Sequence, residues 1–243
     1  MQNMKERKIT EVKYFACGYC TNKLKYIIKK PDVKVKEFYA GVFLINHSKY
    51  GYILFDTGYS EQIYKCGLVG KLYNLFNPVH INKNEKITEQ LRKEDINCNS
   101  KFIVSQDCMK EYKRSNIKSL VLKKMLPHDF ESRTTIIEKF NKEYEVFKGF
   151  DLFEDGSIIL TQIDGHFKGQ MCAYIPEHKI FLGADICWGL KFKDKVDEMH
   201  PFARLVQNNF NEYKKGIELV KKLEERKIKV YLSHDDYDKK ELI

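Results

Sequence analysis

Short apolar runs that stop at a tight turn recur along the whole chain, and they restrict it to a layered α/β architecture. Tyr50-Gly51-Tyr52-Ile53-Leu54-Phe55 ends in Asp56-Thr57-Gly58-Tyr59-Ser60. Ile158 to Asp164 runs into Gly165-His166, Lys179 to Leu182 leads to Gly183-Ala184-Asp185, and Lys229 to Leu232 stops at Ser233-His234. Runs this short, rich in β-branched and aromatic side chains, read as strands. Further strands are predicted over Ile9 to Ala16, Glu37 to Asn46, Lys101 to Ser105 and Gln170 to Ile175. Hairpins are expected at His47-Ser48-Lys49 and at Pro176-Glu177-His178, with Cys17 to Asn22 as a loop. Helical spacing appears over Ser60 to Phe76, Glu85 to Glu94, Gln106 to Arg114 and Asn208 to Lys227; in the last, Tyr213, Ile217, Val220 and Leu223 share one face. Hairpins mixed with strand–helix units point to an α/β sandwich and away from a doubly wound parallel sheet. No repeat or linker divides the sequence, so one domain over residues 1–243 is expected.

Composition narrows the partners. The net charge of +9 comes from 43 Lys and Arg against 34 Asp and Glu, and the lysines are scattered among acids. Such a pattern reads as solvated faces and not as a nucleic-acid-binding arm. No stretch approaches the roughly 20 apolar residues of a membrane span. A small-molecule substrate is therefore expected, with neither nucleic acid nor membrane as a partner. The seven cysteines, an odd number, and the polar start at Met1 to Lys8 suggest free thiols in a reducing cytoplasm. Cys17-Gly18-Tyr19-Cys20 is a CxxC; a structural zinc or redox role is set against two cysteines in a loop.

Three of the strand ends carry metal-ligand side chains. His166 is flanked by Gly165 and Gly169, which let the backbone turn sharply. Asp185 follows an apolar strand and two small residues, where a carboxylate must meet a cation, a donor or water. His234 repeats the pattern after Val230-Tyr231-Leu232. Together they suit a divalent metal. The other histidines, His47, His80, His128, His178 and His200, stand apart, and those in hairpin turns (His47, His178) are expected to be solvated. Ser60 reads as a helix cap, and Trp188 as core or pocket wall.

The ordered set of Leu54-Phe55-Asp56-Thr57-Gly58, Gly165-His166 with Gly169-Gln170, Gly183-Ala184-Asp185 with Cys187-Trp188, and Ser233-His234 resembles the metallo-β-lactamase superfamily, and within it the lactonase-like metallohydrolases. The resemblance runs from about Ile9 to His234. It implies an αββα sandwich with zinc or another divalent metal at one edge. It implies further that His166 ligates the first metal, Asp185 bridges two, His234 ligates the second, and Asp56 supports the site from behind. His166 and Asp56 would thus serve a reaction in which a metal-bound hydroxide opens a lactone or ester.

The family's His-x-His-x-Asp-His motif has no counterpart. Asp95-Ile96-Asn97-Cys98-Asn99-Ser100 leads almost directly to the Lys101–Ser105 strand. A missing strand and short helix, roughly 20 residues by ordinary element lengths, would account for this. Cys98 at the junction is a candidate substitute ligand. Two readings follow: a hydrolase with an incomplete metal site, or a catalytically impaired derivative that binds without turnover. RNA cleavage, which a basic member of such a superfamily could perform, ranks below both because the charge is diffuse.

Overall fold

The computed structural model describes residues 7–97, 100–114, 121–237 and 241–243. One sheet holds β1 (Ile9–Lys23), β2 (Val35–His47), β3 (Gly51–Phe55) and β4 (Val79–His80), in the order β3-β2-β1-β4. A parallel pair, β5 (Phe102–Ser105) and β6 (Thr134–Ile137), stands apart. The second large sheet holds β7 (Lys142–Tyr144), β8 (Phe147–Asp151), β9 (Ile159–Gln162), β10 (Met171–Ile175), β11 (Ile180–Leu182) and β12 (Lys229–Tyr231), in the order β12-β11-β10-β9-β8-β7. The helices are α1 (Gly67–Phe76), α2 (Ile87–Lys93), α3 (Gln106–Arg114), α4 (Pro201–Leu205) and α5 (Phe210–Glu225).

Side-chain alternation along the strands assigns the layers. Val12, Tyr14, Phe43 and Ile45 of the first sheet meet Leu160, Ala173, Ile175, Ile180 and Leu182 of the second in one buried cluster. The intervening residues Phe15, Cys17, Val42 and Leu44 turn outward and pack against Leu91 of α2. On the far side, Phe147, Ile159, Cys172, Tyr174 and Phe181 share a cluster with Tyr213, Ile217, Val220 and Leu223 of α5. The order is helix, sheet, sheet, helix, as expected. Burying an aliphatic side chain of α5 contributes about 1.5–3 kcal/mol. Packing, more than intrinsic propensity, therefore holds this helix. Asn209 caps it, its side chain accepting from the backbone N–H groups of Asn211 and Glu212.

Several expectations are corrected. Cys17 to Asn22 is not a loop but the second half of β1, which continues after a register shift between Ala16 and Tyr19. Gly18 lies at that bulge with φ +79°, and a Cβ there would come within 2.6 Å of the His80 carbonyl oxygen. Ser60 to Phe76 is not one helix. A 3-10 turn over Glu61–Lys65 ends at Cys66, and α1 begins at Gly67 with φ +64°. The strands β6, β7 and β8 were not foreseen. Between α2 and β5 the described residues contain neither strand nor helix, and Cys98 lies outside the described residues.

The CxxC does not form a site. Cys17 belongs to the cluster under α2, whereas Cys20 belongs to the cluster under α5, so their side chains leave opposite faces of β1. The six described cysteines are all free. Burial pushes the Cys17 thiol up to about 12, with the Asp56 charge adding to it. Relative to a free thiol near 8.5, its thiolate fraction at neutral pH falls by more than a thousandfold. Thiol titration of the native protein should find Cys17 unreactive and denaturation should expose it. Rapid labelling of Cys17 in the folded state would contradict this burial.

Candidate metal centre

Four strand ends converge where the two sheets meet. Asp56 follows β3, His166 lies in the loop after β9, Asp185 follows β11 and His234 follows β12. The sheets are tied there by a backbone hydrogen bond from Gly41 N to the Ser233 carbonyl at 2.8 Å. Gly41 permits the approach, because a Cβ would lie 2.6 Å from the Tyr14 ring and 3.0 Å from the Ser233 carbonyl oxygen.

Both histidines are oriented from behind. His234 Nδ1 lies 2.7 Å from the Tyr39 carbonyl oxygen. A carbonyl only accepts, so Nδ1 carries the proton. His166 Nδ1 lies 3.0 Å from Gln207 Oε1. The amide orientation is fixed because Gln207 Nε2 donates to the Ala203 carbonyl at 3.0 Å. In the neutral tautomers, therefore, both Nε2 atoms present bare lone pairs. They face the same carboxylate: His166 Nε2 is 3.7 Å from Asp185 Oδ2, and His234 Nε2 is 3.3 Å from Asp185 Oδ1. Oδ1 is buried and has no hydrogen-bond partner. Aromatic edges steady both rings, Trp188 at 5.7 Å from His166 and Phe38 at 5.8 Å from His234. Trp188 is thus a wall beside His166.

The carboxylate behind this trio is Asp56. It accepts from Thr57 N at 2.6 Å and from Ser233 Oγ at 2.9 Å. The residue is exposed by surface area, although protein atoms crowd its carboxyl. Burial raises its carboxyl above the ordinary range, and the Asp185 charge raises it further. Asp56 and Ala184 both have positive φ, 73° and 47°. These left-handed, non-glycine residues adjoin the site, where such strain commonly collects.

The loop carrying His166 is clamped from outside. Asp164 accepts from Gly169 N, Gln162 Nε2 and Lys168 Nζ at 2.8, 2.9 and 2.7 Å, and Lys168 also reaches Asp107 at 3.1 Å. Gly165 packs on α5, where a Cβ would lie 2.4 Å from Tyr213 Cα. Tyr213 in turn accepts a hydrogen bond from Trp188 N at 3.2 Å, joining the His166 loop to the Asp185 loop.

The electron-rich set fits a cation: two imidazole lone pairs and one carboxylate, whose Oδ1 is buried without a partner. Its arrangement is open. Among the described residues, no group of three His, Cys, Asp or Glu is placed to hold one ion. His166 and His234 stand on separate oxygens of Asp185, as two halves of a divided site. The structure places Asp56, His166, Asp185 and His234 at one edge of the two sheets. The orienting roles of Tyr39, Gln207 and Ser233 were not read from the sequence.

A serine–histidine–aspartate cluster elsewhere is a false trail. His47 was expected to be solvated, but it is buried, with Nε2 at 3.1 Å from Ser157 Oγ and 3.4 Å from Asp155 Oδ2. Its Nδ1 accepts from the backbone N–H of Lys49, so it caps the β2–β3 turn. Serine and carboxylate meet the same nitrogen, which leaves no path for general-base relay. His178 is likewise engaged, with the Ile9 carbonyl at 2.9 Å.

No family model and no curated protein matches the chain. Solved structures do. An N-acyl homoserine lactone hydrolase with N-hexanoyl-L-homoserine bound at its catalytic metal center is similar with a TM-score of 0.69 and 17% identity, over 94% of each chain. A variant of B. thuringiensis AiiA with N-decanoyl-L-homoserine at the active site gives the same values. A probable metal-dependent hydrolase from Staphylococcus aureus matches with a TM-score of 0.61 and 14% identity, over 88% of this chain and 84% of that one. At these identities the likeness is one of fold: the chain has the αββα sandwich of the metallo-β-lactamase type.

Proposed function

We propose that the protein is a metal-dependent hydrolase that opens a lactone or ester. One observation carries the reading: two imidazoles with bare Nε2 atoms flank one carboxylate whose Oδ1 has no partner. A divalent ion such as zinc, held by His166, Asp185 and His234, would supply Lewis acidity and an acidified water. The residues of the chain do the rest. Gln207 and Tyr39 fix the tautomers, Asp56 holds Ser233 and hence the backbone before His234, and Trp188 shields one side of His166 from water. The fold neighbours include an N-acyl homoserine lactone hydrolase with its product N-hexanoyl-L-homoserine at the catalytic metal center and an AiiA variant with N-decanoyl-L-homoserine at its active site, which supports the substrate class.

A second reading has its own support. The divided ligand set, with no three groups around one ion among the described residues, favours a derivative that binds a ligand but turns it over poorly. Hydrolysis of lactones and aryl esters, with and without added zinc or manganese, separates the two. Zinc- or manganese-dependent turnover that disappears in His166→Ala supports the hydrolase. No turnover with metal bound supports the derivative, and turnover that needs no metal would contradict both.

A further inference from the structure

The helix α1 carries its apolar stripe on the wrong side for a globular core. Leu68, Leu72, Leu75 and Phe76 fall at the spacing of one helix face. That spacing normally marks a buried face, yet these residues are exposed, Leu68 at 72% and Leu75 at 71%. The opposite face is the packed one: Gly70 sits against the Ile63 carbonyl, and Tyr73 OH bonds Tyr59 OH at 2.8 Å. The short helix α4 continues the surface. Phe202 and Leu205 are exposed, Leu205 at 82%, and the Phe202 ring lies 6.2 Å from Phe76. Six large side chains on two adjoining helices expose on the order of 500 Å² of apolar surface, enough to mark an interaction site.

The segment between β1 and β2 runs alongside. Asn22 donates to the Phe76 carbonyl at the end of α1, and His200 N donates to the Ile27 carbonyl just before α4. The last residue of β1 is Lys23, that segment brings Lys25, Lys29 and Lys30, and α1 itself adds Lys71; all five are exposed. None of them forms an ion pair among the described residues. Asp32 and Glu198 are the acids nearest in the chain, so the rim carries a positive excess.

We propose that this face docks on an anionic lipid bilayer. Exposed apolar side chains rimmed by unpaired lysines suit the boundary between head groups and acyl chains. A second copy of the chain suits it less, because a two-fold contact would set the same lysines against one another. Neither helix is long or apolar enough to cross a membrane, so the contact is peripheral. Docking would bring Gln207, which orients His166, close to the bilayer, since α4 leads directly to it. The lysines scattered through the sequence, read there as solvated faces, are in part gathered here by the fold.

Flotation with vesicles tests this. Vesicles of equal parts phosphatidylglycerol and phosphatidylcholine should carry the protein upward, and pure phosphatidylcholine vesicles much less. Combining Leu68→Ser, Leu75→Ser and Leu205→Ser should lower the partition constant by on the order of a hundredfold. These are exposed positions, and an unchanged melting temperature confirms that the fold persists. Lys25→Glu with Lys29→Glu should weaken binding to the anionic vesicles selectively. His166→Ala should float like the parent, which separates this proposal from the metal reading. Failure to float with anionic vesicles would overturn it. So would equal flotation of the serine variant, or a stable dimer in sedimentation velocity that this variant converts to monomer.

Discussion

Asp185→Ala is expected to abolish the response of the protein's thermal unfolding to zinc. In the parent, a ligand at one hundred times its dissociation constant stabilises the native state by about 2.7 kcal/mol. In a chain of this size that corresponds to a rise of about 5–10 °C in melting temperature. The carboxylate is the one group that both imidazoles face, at 3.7 and 3.3 Å, so its loss separates the two half-sites completely. Without metal the sign changes. Asp185 leaves a buried oxygen unpartnered and adds to the upward push on the Asp56 carboxyl. Asp185→Asn should therefore leave the metal-free protein at least as stable as the parent while still removing the zinc shift. A zinc shift that survives in Asp185→Ala would place the metal elsewhere.

Tyr213→Ala should be the most destabilising single substitution near the site. The side chain is fully buried beneath the second sheet, and truncating a large aromatic in a core costs about 3–5 kcal/mol. In a chain of this length that lowers the melting temperature by about 6–20 °C. The consequence is also local. Tyr213 OH accepts from Trp188 N, and its backbone supports Gly165, so the loops of Asp185 and His166 lose their common prop. Tyr213→Phe keeps the volume but strands the Trp188 N–H, for a cost of about 1–3 kcal/mol. Thermal unfolding of the two variants should rank them in that order. If Tyr213→Ala melts with the parent, the buried aromatic does not support the site as described.

The side chains of the candidate centre were legible because each closes an apolar run. His166, Asp185 and His234 sit where strands end, and a strand end is visible in a single sequence. Their orienting partners were not. Gln207 reaches His166 across 41 residues and His234 leans on the Tyr39 backbone across 195, and no local pattern encodes such contacts. The spacing of Leu68, Leu72, Leu75 and Phe76 marks one apolar face on α1, but spacing alone cannot say whether protein, lipid or water covers it. The second half of β1 was missed because Gly18 reads as a loop residue, and it serves instead as a bulge that bends a long strand against β4. The strands β7 and β8 escaped because charged residues interrupt their alternation and pairing, not propensity, holds them.

The two half-sites flanking Asp185 are expected to bind a divalent metal despite the absent histidine motif. Elemental analysis of the protein purified without added metal, beside a His166→Ala control, measures this. About one or two zinc, manganese or iron ions per chain are expected, reduced in the control. A folded protein that holds no metal as purified and takes up none when zinc is added would contradict it.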